Sequence, residues 1–359
     1  MIRLLRNTLL SLLALAIALG LLLYNVAWQP RPREKVAPVC TADAPMPAPG
    51  QALKVMTWNI QYLAGKRYVF WYDEAHGDDE RPTPEDLAYN LDEVARVIRD
   101  EQPDVLLLQE LDDDAKASGY QDQLGALQQR LADLYPCSAQ AFDWKSDFVP
   151  AWHILGSVGR KLATLSRYRI DNAERLQLPQ PSGEWFSTSW QPKRALLSVY
   201  LPVGEAGTQL AVLNTHLDHF VAGRDTQLLQ LQSIESRLDR LEGAGTAWVI
   251  GGDFNLLPLG QYLRLKPGQR QYYPADSDLH RLWDKYAMIP TNAEASGADR
   301  DDWLTHYPND PSLQGPDRTL DYFFYSARLI KLEAQVRQGD TLAISDHLPV
   351  VARFTLPHK

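Results

Sequence analysis

The sequence predicts an α/β body in which helices cover β-sheets, preceded by an N-terminal transmembrane helix. Three observations carry that prediction. Apolar runs of strand length recur from "LKVMTWNI" to "HLPVVARFTL", amphipathic helical patterns are interspersed among them, and the first residues form an apolar stretch unlike anything that follows. With 359 residues, 45% of them hydrophobic, the chain has enough apolar material for a sizeable core.

Arg3 and Arg6 precede an uncharged, mostly apolar run from about Leu9 to Trp28, long enough to cross a hydrocarbon core as a helix. A cleaved signal peptide is the alternative, but the run is long for one and no clear small-x-small site follows Leu23. Residues 1–28 therefore read as a signal anchor, with the membrane as partner; no motif indicates a protein partner. Arg31, Arg33 and Lys35 almost balance the arginines before the span. Short arginine-bearing N-terminal arms normally stay inside, which places the body outside the cytoplasm, in the periplasm if the cell is bacterial.

Residues 29–51, "QPRPREKVAPVCTADAPMPAPGQ", are rich in proline and small residues, lack periodicity and read as a linker. Residues 52–359 then form one domain. Cys40 and Cys137 are the two cysteines, and no CxxC or Cys/His spacing marks a metal site. They read as two unpaired thiols, with pairing in an oxidising compartment as the lesser alternative, and spacing does not decide between these.

Within the domain the strand "LKVMTWNI" leads to a helix from about Thr83, with Thr83 as N-cap, Pro84 in first position and Asp86 closing the box. Leu87, Leu91, Val94 and Ile98 share its apolar face. After the strand "DVLLLQE", Leu124, Leu127, Leu131 and Leu134 mark a second helix, and Leu228, Leu231, Leu238 and Leu241 a third. Further strands are "RALLSVYL", "QLAVLNTHL", "TAWVIGGDFN", "TLDYFFYS" and "HLPVVARFTL". Periodicity does not give their order.

Each apolar run delivers a polar side chain at or just beyond its end: Asn59, Glu110, His216, Asp253 with Asn255, Asp321, and Asp346 with His347. Gathered on one rim, oxygen ligands and histidines suit metal-assisted phosphoryl chemistry. Carboxylates hold a hard cation, an aspartate orients or deprotonates the attacking water, and a carboxylate-supported histidine moves protons. Read singly, each has a bland counterpart. A D-x-N triplet arises about once by composition in such a chain. Asn59 could cap a turn, Glu110 opens an acidic run with Asp112, Asp113 and Asp114, and lone histidines are usually structural. Their conjunction, with Glu110 directly behind "VLLLQ" and Asp253 directly behind two glycines, favours a common site. In "WVIGGDFN" the glycines would let the chain turn at the rim, Asp253 and Asn255 would project on one side, and Phe254 would point into packing.

In their order "WNI", "LLLQE", "NTHL", "GGDFN", "LDYFF" and "SDHLPV" resemble the endonuclease/exonuclease/phosphatase family, which includes pancreatic deoxyribonuclease, base-excision nucleases, neutral sphingomyelinases and inositol-phosphate phosphatases. The resemblance spans Val55 to Phe354 and implies a four-layer αββα sandwich of two mixed β-sheets with a divalent-metal site, magnesium or manganese, on one rim. It makes Asn59, Glu110 and Asp346 metal-site residues, Glu110 the principal ligand. It gives Asp253 the water, Asn255 the phosphate or that aspartate, and His347 acid/base work or a phosphate contact, oriented by Asp321. His216 resembles the second histidine of the deoxyribonuclease and sphingomyelinase branches. Arg194, opening "RALLSVYL", is a phosphate contact or a surface arginine. The segment "GRKLATLSRYRI" lacks the asparagine the family often places there. The insertions "RYVFWYDEAHGDDERP" and "WKSDFVPAWHILGS" carry aromatics that line a substrate entrance or pack on their own domain.

The implied activity is hydrolysis of a phosphoester, foremost a phosphodiester in a phospholipid headgroup or nucleic acid. A phosphomonoesterase of inositol-phosphate type, or a noncatalytic binding module on the same fold, are the rivals. A net charge of -9 opposes a broad phosphate-gripping surface and tilts towards lipids or small phosphoesters. No GxSxG elbow, HExxH or P-loop suggests another hydrolase class.

Overall fold

In the strand Val105–Asp112 the residues Val105, Leu106, Leu107 and Leu108 are all fully buried, so both faces of its sheet are covered. A computed structural model describes residues 2–71, 77–79, 81–183, 188–204, 207–223 and 225–358, and shows what covers them.

Among the described residues two seven-stranded mixed sheets form. The strands are β1 (Arg33–Val36), β2 (Val39–Cys40), β3 (Ala52–Asn59), β4 (Val105–Asp112), β5 (Cys137–Val149), β6 (Gly156–Ser166) and β7 (Asn172–Gln177). They continue with β8 (Ala195–Val203), β9 (Thr208–His216), β10 (Ala247–Asp253), β11 (Ala287–Ile289), β12 (Asp321–Tyr325), β13 (Ile330–Val336) and β14 (Val350–Thr355). One sheet runs β13-β14-β3-β4-β6-β5-β2, the other β1-β7-β8-β9-β10-β12-β11. The pairs β3/β4 and β9/β10 are parallel, each joined through a helix, as a parallel crossover requires.

Val55, Val105, Leu107, Val212, Val249 and Phe323 fill the space between the sheets. Leu106 and Leu108 face outward beneath α2 (Pro84–Glu101) and α3 (Gln123–Arg130). Leu213, Trp248 and Ile250 face outward beneath α4 (Thr226–Gly243). Helix, sheet, sheet and helix are therefore the four layers expected. Truncating one of these buried leucines to alanine costs about 2–5 kcal/mol.

The start of α2 follows the predicted chemistry. The Thr83 hydroxyl accepts from the Asp86 N–H at 3.2 Å, and Pro84 occupies the first turn. The second helix is shorter than its leucine pattern: Leu131 is its C-cap and Leu134 lies in the turn beyond.

Residues 29–51 depart from the linker reading. Arg33–Val36 pairs with β7 and Val39–Cys40 pairs with β5, so the segment extends both sheets. Edge backbone groups left open by the domain explain why so irregular a sequence is captured there. Cys40 faces Cys137 in register and the two form a disulfide. The N-terminal helix α1 (Ile2–Val26) contains an apolar window, Arg3–Leu21, long enough to cross a membrane.

Candidate active site

Strand register brings the polar termini together. In the second sheet Asp253 is paired with His216 on one side and Asp321 on the other. Asp321 opens its strand rather than ending it; antiparallel pairing with β10 returns it to the same rim. In the first sheet Asn59 is paired with Gln109, next to Glu110. The "SDH" loop is fixed above Asn59, since the Ser345 hydroxyl donates to the Asn59 carbonyl at 2.8 Å and the Trp58 indole to the His347 carbonyl at 2.9 Å.

The glycines preceding Asp253 act differently from the sequence reading. Gly252 lies within the strand at φ 153°, and a Cβ there would stand 2.0 Å from the Thr215 carbonyl oxygen. At Gly251 a Cβ would meet the Phe323 ring at 2.5 Å. They serve close approach between strands. The turn falls at Asn255, in the left-handed region with φ 51°, so Asn255 does not continue the extended alternation. Its N–H instead donates to Asp253 Oδ1 at 2.9 Å and its side-chain amide to the Leu217 carbonyl at 3.0 Å. Asn255 thus holds Asp253 through its backbone N–H. Phe254 is fully buried, as expected.

Asp253 Oδ2 is the hub. It accepts from Asn59 Nδ2 at 3.1 Å and lies 3.4 Å from His216 Nε2 and 3.5 Å from His347 Nε2. Burial pushes this carboxyl up to about 7 against the pull of His347. His347 Nδ1 donates to Asp321 Oδ2 at 2.7 Å. Burial opposes the imidazolium, but Asp321 and Asp253 together outweigh it and hold His347 well above its ordinary range. Burial, reinforced by Arg194, drives His216 the other way, well below that range. The rim thus holds one neutral and one protonated histidine on either side of a carboxylate poised to exchange a proton.

Glu110 stands at a bulge in the β4/β6 register with φ 59°, a conformation glutamate seldom adopts. Its Oε1 pairs with Arg160 Nη1 at 3.2 Å and lies 3.8 Å from His216 Nδ1. Asp346 is partly buried, and burial pushes its carboxyl up to about 6. The Asn59 amide nitrogen serves Asp253 and its oxygen accepts from the Gln61 N–H at 3.0 Å. Arg194 departs from its expected place. It is 4% exposed, with Nη1 on Asp143 at 2.8 Å and Nε on Asp218 at 3.1 Å, neither a surface arginine nor a phosphate contact. Two carboxylates compensate its buried charge.

The residues fit a divalent cation. Asp253, Asp321 and His347 offer ligand atoms within 4.8 Å of one another, as do His306, Asp346 and His347. Asp321 Oδ1 and His216 Nδ1 are buried without a hydrogen-bond partner among the described residues. Burial raises Asp253 and Asp346, a bound cation would favour their charged forms, and hard oxygen donors suit magnesium or manganese.

Sequence reasoning missed four participants. Gln109 Nε2 donates to Asn214 Oδ1 at 2.7 Å, and Asn214 Nδ2 returns to the Leu108 carbonyl at 3.0 Å, so this pair ties the two sheets directly below the rim. Position offered a signal, since Asn214 shares a strand face with His216 and Gln109 adjoins Glu110. Arg160 also bridges Asp112 and lies over the Tyr62 ring. His306, whose ring centroid is 4.4 Å from that of His347, comes from an irregular loop, where no pattern marked it. Of the aromatic insertions, Trp71 and His153 stack at 4.5 Å, joining the two loops; residues 72–76 and 80 lie outside the described residues.

The sequence pattern of the Endonuclease/Exonuclease/phosphatase family matches residues 56–347, most of the chain. The chain belongs to this family. Among solved structures it is similar to an endonuclease/exonuclease/phosphatase from Beutenbergia cavernae, with 25% identity and a TM-score of 0.58 over 86% of this chain and 72% of that one. It is also similar to the human Nocturnin catalytic domain, at 21% identity and TM-score 0.50, covering 89% of this chain and 97% of that one. ANGEL2, described as a 2',3'-cyclic phosphatase, gives 17% identity and TM-score 0.51, over 85% and 96%. At such identities the last two likenesses show the fold alone. A search of curated proteins finds no match. The family comprises phosphoester hydrolases, many of them metal-dependent.

Proposed function

We propose that this family member is a divalent-metal-dependent phosphodiesterase, anchored by α1, that hydrolyses phospholipid headgroups or nucleic acid outside the cytoplasm. The convergence of His216, Asp253, Asp321 and His347 around Asp253 Oδ2, beside Glu110 and Asp346, carries this reading. When bound, magnesium or manganese held by Glu110 and Asp346 would supply positive charge against the phosphoryl oxygens.

The chain's own residues supply the rest. Asp253, raised towards neutrality by burial, accepts the proton of an attacking water positioned by Asn59 and the Asn255 turn. His347, kept protonated by Asp321, donates to a phosphoryl or leaving oxygen through Nε2. Neutral His216 faces Asp253 through Nε2 and keeps that carboxylate oriented. Burial of the whole network strengthens each electrostatic contact.

Because β1 and β2 belong to the sheets, the test uses the full chain in detergent micelles. With magnesium it is offered plasmid DNA, single-stranded DNA, RNA, sphingomyelin, phosphoinositides and inositol phosphates. Hydrolysis of a phosphodiester that EDTA abolishes, and that His347→Ala lowers by about 10²–10⁴-fold, is the expected result. Activity surviving both Asp253→Ala and His347→Ala, or binding of these compounds without turnover, overturns the assignment.

A further inference from the structure

The point at which the apolar span reaches the body lies on the same rim as the candidate site. Ala27 forms a β-bridge with Ser146 on β5, and Trp28 packs edge-on against Phe142 with Arg175 over its ring. Ser146 is level with Val158 of β6, just past Arg160, which pairs with Asp112 and reaches Glu110. From there residues 29–40 descend the side of the sandwich, through β1 and then β2, and are locked at the far end by the Cys40–Cys137 disulfide. The supposed linker is a strap that pins the end of the span to the rim. Leu21 closes the apolar window, and the six residues from there to Ala27 rise about 9 Å as helix. No free tether separates the rim from the apolar helix.

Loops on this rim expose apolar side chains. At the β5/β6 hairpin tip Trp152 is 80% exposed, and Phe148 and Leu155 beside it are also exposed. Val221, after His216, and Leu259, after Asn255, extend the apolar surface around the site. Exposed Arg31 and Lys145 flank the anchor exit, at the level where anionic headgroups would lie. Tryptophan at a membrane–water interface is favoured because its ring is apolar and its N–H polar. Exposed clusters of this kind mark interaction surfaces.

We propose that the rim rests on the bilayer in which α1 is embedded, inserting the β5/β6 tip, and that its substrate is a phosphodiester presented by that bilayer. The orientation stands on the strap and the hairpin; the substrate class also rests on the phosphoesterase reading above. A polynucleotide would have to enter between rim and membrane, whereas a headgroup already lies there.

Two measurements on full chain reconstituted in phosphatidylcholine/sphingomyelin vesicles test this. An environment-sensitive dye on Trp152→Cys is compared with one on Leu332→Cys, which lies on β13 level with the far end of β3 and is 51% exposed. Doxyl-labelled phosphatidylcholine is expected to quench the first and spare the second; equal quenching, or the reverse order, overturns the orientation. Separately, a flexible Gly/Ser segment of about 20 residues is inserted between Val26 and Ala27, with an expected loss of sphingomyelin hydrolysis of about tenfold and unchanged hydrolysis of soluble bis(p-nitrophenyl) phosphate. An unchanged ratio of the two rates overturns the substrate class. If the wild type hydrolyses neither compound, the phosphoesterase reading and the substrate class fall together, and the quenching still decides the orientation.

Discussion

Replacing Asp321 by asparagine removes the charge that supports His347 while keeping the side chain's shape. The bond that loses its charge is 2.7 Å long, between groups 0% and 4% exposed. A hydrogen bond to a charged partner in such a setting contributes about 1.5–3 kcal/mol. Because each 1.36 kcal/mol is tenfold in rate, kcat should fall by about 10- to 150-fold. The pH profile should change as well. Asp321 favours the imidazolium of His347, so its loss lowers the pH at which that proton leaves. The alkaline limb of kcat therefore moves to lower pH. The assay is hydrolysis of bis(p-nitrophenyl) phosphate with magnesium across the neutral range, with circular dichroism confirming the fold. The Asp321 N–H keeps its bond to the Thr305 hydroxyl in the variant, so the backbone has no reason to move. A kcat within about twofold of wild type together with an unmoved alkaline limb would refute the role assigned to the pair.

Two further outcomes follow from packing and burial. Gly252→Ala places a methyl 2.0 Å from the Thr215 carbonyl and should cost about 2–5 kcal/mol in urea unfolding; a change below about 0.5 kcal/mol would mean that β9 and β10 are not so closely apposed. Burial pushes the Asp112 carboxyl up from 3.8 to about 6, so the folded state holds its proton longer than the unfolded chain. Stability therefore falls as pH rises from about 4 to 6, and the deficit, about 3 kcal/mol at most, is complete above that window. Asp112→Asn should accordingly raise Tm at pH 8 in EDTA but not at pH 4, and an equal gain at both would exclude this cause.

Much of the site was legible because a strand buried on both faces has to be apolar along its length. Residues such as Glu110, Asp253 and His347 therefore stand out where the apolar run stops. The fold class and the start of α2 were legible for a related reason: caps and periodicities are local, written within a few residues of the elements they set. What stayed hidden depends on partners distant in sequence. Arg194 looks like a free cation until Asp143 and Asp218 are placed against it, and His306 carries no local mark at all. Residues 29–51 lack any strand pattern because their conformation is imposed by open sheet edges elsewhere in the chain. The sequence by itself marked the polar residues at the strand ends and the elements that bear them. Tertiary structure alone decided which carboxylate each histidine meets, that Cys40 reaches Cys137, and that the N-terminal apolar helix ends at the rim. Those outcomes are set by register and edge pairing between segments far apart in the chain, which no local pattern encodes.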